Sequence, residues 1–311
     1  MNGNVRSVAG DPHSRGESLL LRESVDGMAA REPGSGDREG LVQRFLERVS
    51  AAPRRVLLLD YDGTLAPFRS ERMRVTPYGE IVEPLRRLAS SDRGRIAIVS
   101  GRPLSDLQAL LGWLDPMPEL WGSHGLERRT REGVSSSRPD AAVDRSVAET
   151  ARAWARERGW EDFFEPKPFG FALHGRSVAP EEFARMRREL VVRWSGAARE
   201  AGLEAKEFDG GIEFRPSGRH KGEVVETTLR EAGPGAAVAY LGDDATDEDA
   251  FRTLDGRGLA VLVRPPGAPD RPTLADVRLQ APEELARFLR DWERALEASG
   301  PGPAAKTETV P

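Results

Sequence analysis

The sequence predicts an α/β protein, in which a parallel sheet covered by helices on both faces is interrupted by a smaller α+β module. Short apolar runs such as 56–59, 95–99 and 236–241 have the composition of strands that are buried on both sides. Segments with apolar residues at helical spacing alternate with these runs, which is typical of a parallel sheet. In the middle region, residues 143–215, a helix followed by two short strands occurs twice, and this repeat predicts the inserted module.

The individual elements follow from the spacing of apolar residues along the chain. For the parallel-sheet core we expect helices at 41–49, 81–88, 104–111, 221–229 and 247–254, and strands at 56–59, 95–99, 119–122, 236–241 and 259–263. For the module we expect helices at 143–158 and 180–201, and strands at 162–165, 171–176, 203–208 and 212–215. The sequence DGG at 209–211 predicts a hairpin turn, because glycine accepts a positive φ at no steric cost.

These elements predict the domain organisation of the chain. We expect a core built from residues 41–127 and 216–296, with the module inserted at 128–215. Segments 1–40 and 297–311 are rich in glycine, proline and polar or charged residues, so we expect both to be disordered. Such segments cannot bury enough apolar surface to offset the entropy that ordering removes.

Composition excludes several classes of protein. The 311 residues suffice for one large domain or two modest ones, and the absence of cysteine excludes disulfides and thiolate chemistry. A net charge of −5 and a pI near 5.7 argue against a general nucleic-acid binder. We find no apolar stretch of roughly 18 to 20 residues that could cross a membrane, and no secretory signal. We therefore expect a cytoplasmic protein.

Carboxylates follow two of the predicted buried strands. Asp60 and Asp62 end the first strand, Asp243 and Asp244 follow the strand at 236–241, and a serine follows the strand at 95–99. Ligands of open parallel sheets bind beyond the carboxyl ends of the strands, so we expect these side chains to meet there. Four crowded carboxylates repel one another and raise one another's pKa. A bound Mg²⁺ would remove that repulsion.

Simpler explanations exist for parts of this pattern. A DxDGT fragment alone is also compatible with a polar turn, because aspartate and glycine are common turn residues. The segment GDDATDED fails as an EF-hand loop, since the sixth position counted from Asp243 is Glu248 rather than glycine. For Glu248 and Asp249 we favour the simple role of acidic residues in the first turn of a helix.

Four elements in this order resemble the haloacid dehalogenase (HAD) superfamily of phosphatases. They are the DYDGT loop, Ser100, Lys221 and the segment GDDATDED, and the resemblance covers most of residues 53–290. It implies a HAD-like Rossmannoid core with an inserted C2-type cap domain. It also implies that Asp60 takes the phosphoryl group as an aspartyl phosphate, while Asp62 first protonates the leaving sugar oxygen and then activates water.

The same resemblance assigns the remaining core residues. Ser100 and Lys221 bind the transferring oxygens and offset their charge. Asp60, Asp243 and the backbone carbonyl of Asp62 hold Mg²⁺. Asp244 and Asp247 act on the metal through water or through its ligands. The residues implied to contact the substrate in the core are Gly63, whose amide helps to bind the phosphate oxygens, together with Thr64, Gly101 and Arg102.

Three further segments resemble the trehalose-6-phosphate phosphatases. They are GSHGLE (122–127), EPKPFGFALHGR (165–176) and GGIEFRPSGRHKG (210–222), and GDDATDEDAFR also matches that family. One departure is Gly175, where the family often has an aromatic residue. The residues that this resemblance assigns to sugar binding are His124, Glu165, Lys167, His174, Arg176, Glu213 and Arg215.

Strand alternation supports these assignments independently. In 171–176 and 212–215 the apolar residues point to one face and the polar or charged residues mostly to the other. Carboxylates such as Glu213 can accept hydrogen bonds from sugar hydroxyls, and Lys167 can donate them. The alternative is a solvated face of surface ion pairs. For His124 the alternative is a histidine that only satisfies a turn.

The resulting expectation is a Mg²⁺-dependent phosphatase of trehalose biosynthesis that converts trehalose 6-phosphate to trehalose and phosphate. Its partner is a small sugar phosphate, and a separate synthase would contact it only transiently. The nearest alternative is the same chemistry on sucrose 6-phosphate or a glycosyl phosphoglycerate. A silent regulatory domain would lack Asp60, Asp62 or Lys221, and all three are present. We find no indication of a mutase, and the sequence does not predict the oligomeric state.

Overall fold

The structure, a computed structural model, describes residues 38–69, 71–137, 145–208 and 210–298. Within these residues the strands form two sheets. None of the helices described there is both long and apolar enough to cross a bilayer. The expectations for 1–37 and 299–311, and for Asp209 of the predicted turn, lie outside the described residues.

The larger sheet is the core of the molecule. Its strands are β1 (Arg55–Asp60), β2 (Arg95–Val99), β3 (Glu119–Gly122), β4 (Glu127–Arg129), β5 (Ser135–Ser137), β10 (Ala237–Gly242), β11 (Leu259–Arg264) and β12 (Val277–Gln280). Their order is β12-β11-β10-β1-β2-β3-β4-β5. The pairings from β12 to β3 are parallel, and β4 and β5 are antiparallel additions at one edge. The carboxyl ends of β1, β2 and β10 therefore meet at one edge of the sheet.

Helices cover both faces of this sheet. One face carries α1 (Arg38–Ala51), α2 (Gly79–Ser90), α3 (Leu104–Leu110) and α8 (Glu283–Ala298), and the other carries α6 (Lys221–Ala232) and α7 (Glu248–Leu254). Alternate residues of β1 serve the two faces: Leu57 and Leu59 pack under the first set, and Val56 and Leu58 under the second. This confirms the predicted α/β fold and explains why the strand is apolar without interruption.

The smaller sheet forms the predicted α+β module. Its strands are β6 (Phe164–Lys167), β7 (Gly170–His174), β8 (Leu203–Phe208) and β9 (Gly211–Pro216), in the antiparallel order β6-β7-β9-β8. Helices α4 (Arg145–Glu157) and α5 (Pro180–Glu200) cover one face. Stacked Phe171 and Phe214, with ring centroids 4.7 Å apart, lie at the centre of this layer.

The structure corrects the predicted domain boundaries. The large sheet continues past residue 128 through β4 and β5, so the described elements of the module begin only with α4. The segments ERR and SSS show no apolar pattern. Backbone pairing joins them to the sheet, and Arg128 adds a hydrogen bond to Glu119 of β3 at 2.8 Å. Helix α1 begins at Arg38 and α8 ends at Ala298, each inside a segment expected to be disordered.

Strand β12 and helix α8 follow the strand predicted at 259–263 and were not among the expected elements. Strand β12 has only four residues, too few for a clear alternating pattern. Helix α8 buries apolar residues at helical spacing, among them Leu285, Phe288, Leu289 and Trp292. The sequence therefore carried a signal for α8 that the prediction missed.

We predict that α8 is essential for stability. Trp292 is fully buried in it, and replacing a buried Trp with Ala costs about 3–5 kcal/mol. Trp292→Ala should lower the free energy of unfolding by that amount in urea titrations. Arg290→Ala, on the exposed face of the same helix, should change it by less than about 0.5 kcal/mol. Equal effects of the two variants would contradict the packing described here.

Candidate active site

A cavity of about 380 Å³ lies where the carboxyl ends of the large sheet face the smaller sheet. The residues singled out from the sequence that line it are Asp60, Asp62, Ser100, Gly101, Arg102, His124, Glu165, Lys167, His174, Arg176, Glu213, Lys221 and Asp244. Charged groups of the core and of the module thus face one space. The volume falls within the range of small-molecule sites.

Lys221, the first residue of α6, forms the charged centre of the core side. Its Nζ donates to Asp60 Oδ1 at 2.6 Å and to Asp247 Oδ1 at 2.7 Å, and all three residues are buried. Burial by itself would lower the pKa of Lys221, but the two carboxylates outweigh it and raise that pKa above its ordinary value. Burial raises the pKa of Asp60, and the lysine opposes that shift. Lys221 is therefore a fixed positive charge against the Asp60 carboxylate.

Asp247 has all its acceptor positions occupied. Oδ1 accepts from Lys221 and from the Tyr240 hydroxyl at 2.6 Å, and Oδ2 accepts from the backbone amides of Asp243 and Asp244 at 3.1 and 3.0 Å. A carboxylate offers about four lone-pair sites, so none is left for a metal ion. This geometry agrees with an indirect role for Asp247, in which it orients Lys221 and the turn that carries Asp243.

The carboxylates of Asp60 and Asp243 fit a divalent cation. Oxygens of Asp60, Asp243 and Asp247 lie within 4.8 Å of one another. Burial raises the pKa of Asp243 well above its usual range, and the charges of Asp60 and Asp247 raise it further. Clustered carboxylate oxygens with too little nearby positive charge are the ligands that hard cations such as Mg²⁺ take. With Asp247 already occupied, Asp60 and Asp243 are the two available to bind one.

Gly63 and Thr64 have different contacts from those expected. The Gly63 amide, expected to bind phosphate oxygens, donates instead to the Ala66 carbonyl at 2.7 Å. The residue has φ +84°, and a Cβ there would lie 2.0 Å from Asp243 Oδ2, so only glycine fits. The Thr64 hydroxyl donates to Asp243 Oδ1 at 3.2 Å. Both residues thus support Asp243 rather than line the cavity.

Arg102 contacts Asp62 directly. Its Nε and Nη2 donate to the two oxygens of Asp62, both at 2.6 Å, in a bidentate pair. Arg102 is 5% exposed, and its Nη1 is buried without a hydrogen-bond partner among the described residues. Arg102 was expected to contact the substrate. In the structure its side chain instead bonds to Asp62, the carboxylate expected to serve as acid and base.

Glu213 links the module to the core. It accepts from Lys167 Nζ at 2.6 Å and bonds His124 Nε2 at 2.9 Å. Burial alone would raise the pKa of Glu213, but Lys167 and His124 hold it well below its usual range. Burial lowers the pKa of His124 to about 4 despite the pull of Glu213. His124 is therefore neutral at pH 7 and donates from Nε2, while Nδ1 is buried without a partner among the described residues.

A second charged group surrounds Glu165. The carboxylate bonds His174 at 2.8 Å and forms an ion pair with Arg72 of the core at 2.5 Å. Burial would raise the pKa of Glu165, but Lys167, His174 and Arg72 together lower it to about 2. Another contact between core and module is made by Arg176, whose guanidinium lies 3.2 Å from the ring centroid of Phe68.

Arg215 does not line the cavity. It is 4% exposed, lies opposite Glu204 in the β8–β9 pairing, and its Nε is 4.0 Å from Glu204 Oε1. Substrate contact by Arg215 stays a prediction.

At Gly175 a Cβ would lie 2.3 Å from the ring of Phe183, so that ring occupies the space beside the glycine.

Sequence reasoning missed several residues of the cavity wall. They are Phe68, Arg69, Arg72, Asp162, Phe163, Ser177, Phe208 and Thr246. The first three belong to the loop after β1, which has no periodic pattern to mark it. Phe208 ends β8 and packs edge-on against His174, with centroids 5.5 Å apart. An aromatic residue beside the predicted DGG turn was the signal available for Phe208.

Comparison with known proteins establishes the family. The trehalose-phosphatase family profile matches residues 58–283, which include the DYDGT loop, the module and GDDATDED. The chain belongs to the trehalose-phosphatase family. This confirms the resemblance found in the sequence.

One relative is the trehalose-phosphate phosphatase of Mycobacterium marinum, 33% identical over 259 residues. The match covers 80% of this chain, which spans 64% of the length of that relative.

Solved structures confirm the fold. The C-terminal domain of C. albicans trehalose-6-phosphate phosphatase superposes with a TM-score of 0.68 at 22% identity, covering 87% of this chain and 99% of that one. A haloacid dehalogenase-like hydrolase from B. subtilis superposes with a TM-score of 0.53 at 13% identity, covering 76% and 98%. The chain therefore has the HAD-like fold, and the C2 subtype of the module stays a prediction.

Buried His124 should make the protein less stable in mild acid. The folded chain keeps this histidine neutral down to about pH 4, whereas an unfolded chain protonates it near pH 6.5. The unfolded state therefore binds more protons in that window, and the free energy of unfolding falls as the pH drops from 6.5 to 4. The difference in pKa corresponds to about 3 kcal/mol.

His124→Asn should remove this part of the pH dependence. Asparagine tolerates the left-handed backbone at this position, where φ is 56°. Urea titrations at a series of pH values should give the variant a shallower acid decline than the wild-type chain, by about 3 kcal/mol. Parallel pH profiles of the two chains would show that His124 does not titrate as its burial requires.

Proposed function

We propose that the chain is a Mg²⁺-dependent phosphatase that hydrolyses trehalose 6-phosphate to trehalose and phosphate. The observation that carries the proposal is one cavity in which the buried Asp60–Lys221 pair faces the Glu213–Lys167 pair of the module. The first pair suits phosphoryl transfer and the second suits sugar hydroxyls. Membership of the trehalose-phosphatase family supports the choice of substrate.

In the first step Asp60 is the nucleophile. Its free oxygen attacks phosphorus, the bond from phosphorus to the sugar oxygen breaks, and Asp62 gives a proton to that oxygen. Lys221 and the Ser100 hydroxyl offset the charge on the transferring oxygens. Mg²⁺ held by Asp60, Asp243 and the Asp62 carbonyl would neutralise charge at the same place.

In the second step Asp62 takes a proton from water. The water oxygen bonds to phosphorus, the bond from phosphorus to Asp60 breaks, and phosphate leaves. Asp62 accepts two hydrogen bonds from Arg102, and a proton on one of its oxygens weakens the bond that this oxygen accepts. The Nη1 of Arg102, which has no partner among the described residues, can bind an oxygen of the substrate.

The module supplies contacts to the sugar. The side chains of Glu165, Lys167, His174 and Glu213 line the cavity together with Arg176. Phe163 and Phe208 add aromatic surface beside these charges. Such a wall suits a ligand with many hydroxyls and apolar ring faces. A disaccharide phosphate fits this description, and another sugar phosphate such as sucrose 6-phosphate is the alternative. A cytoplasmic location and transient contact with a separate synthase belong to the same proposal.

Asp60→Asn tests the chemistry. An amide cannot act as the nucleophile, so release of phosphate from trehalose 6-phosphate should fall to background. We expect the fold to survive, because Lys221 keeps Asp247 as a partner. Thermal melting of the variant checks this. A folded variant with appreciable phosphate release would refute the role of Asp60.

Glu213→Gln tests the sugar site. The amide keeps the shape of Glu213 but weakens its charge-assisted bonds, and losing one such bond costs about 1.5–3 kcal/mol, or roughly 10- to 150-fold. We expect kcat/KM for trehalose 6-phosphate to fall by about that factor. Activity on p-nitrophenyl phosphate, which has no sugar hydroxyls, should change far less.

Glu207→Ala is the matched control for Glu213→Gln. It removes an exposed carboxylate of β8 that pairs with Arg187 and does not line the cavity. Both substrates should be turned over by this variant as by the wild-type chain. Equal losses on both substrates in Glu213→Gln would place Glu213 in the core chemistry instead of the sugar site.

A further inference from the structure

The loop between β11 and β12, residues 265–276, contacts the turn that carries Asp243 and Asp244. Arg271 of this loop donates from Nη2 to the backbone carbonyls of Asp243, at 3.2 Å, and Asp244, at 3.0 Å. Its Nη1 donates to Glu248 Oε1 at 2.6 Å. The guanidinium of Arg271 thus bonds to three acceptors: two carbonyls of the turn after β10 and the Glu248 carboxylate at the start of α7.

Glu248 fixes this arginine in place. Its second oxygen accepts from the backbone amide of Leu274 at 2.8 Å, so the carboxylate ties α7 to both ends of the loop segment 271–274. The side chain of Glu248 is 18% exposed and that of Arg271 is 28% exposed. The simple role expected for Glu248, an acidic residue in the first turn of a helix, therefore understates its contacts.

The Asp243–Asp244 turn is held from two sides. Asp247 accepts hydrogen bonds from both backbone amides, and Arg271 donates to both backbone carbonyls. A turn fixed at its amides and at its carbonyls has little freedom to rotate its peptide planes. The direction of the Asp243 side chain depends on those planes, and Asp243 is one of the two carboxylates available to a cation.

We propose that Arg271 is a positioning residue for the metal site, which acts by holding the Asp243 backbone so that its carboxylate stays beside Asp60. The inference rests on the proposed function, since it presupposes that this site binds a divalent cation. Residues that orient metal ligands typically change metal affinity 10- to 100-fold when they are replaced. The role requires the planar fork of arginine, because one lysine ammonium cannot reach Glu248 and both carbonyls in the same geometry.

The electrostatic and positional effects of Arg271 have opposite signs. A positive charge near a cation weakens binding, so its removal alone would tighten the site. Loss of the fixed turn would weaken the site. Arg271→Lys keeps the charge and loses the fork, while Arg271→Met loses both, so the pair separates the two effects.

The test is a titration of the metal-free chain with Mn²⁺, in which the electron paramagnetic resonance signal of the free ion reports the amount bound. Both Arg271→Lys and Arg271→Met should bind Mn²⁺ about 10-fold more weakly than the wild-type chain. Glu248→Gln should give a loss in the same direction. The double variant Glu248→Gln, Arg271→Met should lose less than the product of the two single effects, because both act on one contact.

Arg252→Met is the matched control. Arg252 lies on α7 and pairs with Asp249 at 2.7 Å, on the half-exposed surface. The Arg252→Met variant should bind Mn²⁺ as the wild-type chain does. Thermal melting of every variant, followed by circular dichroism, identifies any that fail to fold, and the conservative Arg271→Lys keeps the test valid if Arg271→Met is one of them.

The outcomes distinguish this inference from the proposed function. Unchanged or tighter Mn²⁺ binding by folded Arg271→Lys would overturn the positioning role while leaving the phosphatase proposal intact. A wild-type chain that binds no Mn²⁺ would overturn the metal site itself and this inference with it. At saturating metal, the KM for trehalose 6-phosphate should be the same in Arg271→Lys and the wild-type chain, because the arginine does not line the cavity.

Discussion

The crowding of buried carboxylates at the carboxyl ends of β1 and β10 is the constraint on which the rest of the site depends. Asp60, Asp243 and Asp247 lie together at 9% exposure or less, and one lysine, Lys221, supplies the compensating positive charge in direct contact. Burying several carboxylates together is costly unless each charge is paired or bound to a metal. The arrangement therefore favours a cation, and a doubly charged phosphate ester can bind only after that negative charge is offset.

The module completes the site by presenting charge to the same cavity from the opposite side. Several of its contacts with the core are polar: Arg72 pairs with Glu165, and His124 with Glu213. Polar contacts beside a cavity are easier to exchange for ligand hydroxyls than a packed apolar interface would be. The apolar packing of the module instead faces α4 and α5, on the side away from the cavity. In the proposed function, this division would let sugar recognition vary without disturbing the carboxylates of the core.

Sequence reasoning recovered what is encoded locally. The DYDGT loop, Ser100 and the GDDATDED segment each follow a strand directly, so strand prediction also placed their side chains. It missed Phe68, Arg72 and Arg271, because their partners are far along the chain and their loops have no period. It also predicted that the Gly63 amide binds phosphate. In the structure that amide donates to the Ala66 carbonyl within a local turn, and this contact depends on the path of the backbone.

Covalent phosphorylation of Asp60 is the step on which the proposed mechanism depends, and direct detection of that bond tests it best. The chain would be mixed with excess trehalose 6-phosphate and Mg²⁺, quenched in acid within milliseconds, digested and analysed by mass spectrometry. We predict that the peptide containing Asp60 gains the mass of one phosphoryl group, early and transiently, and only when Mg²⁺ is present. Phosphate released at full rate while that peptide stays unmodified at every quench time would contradict the role of Asp60 as nucleophile.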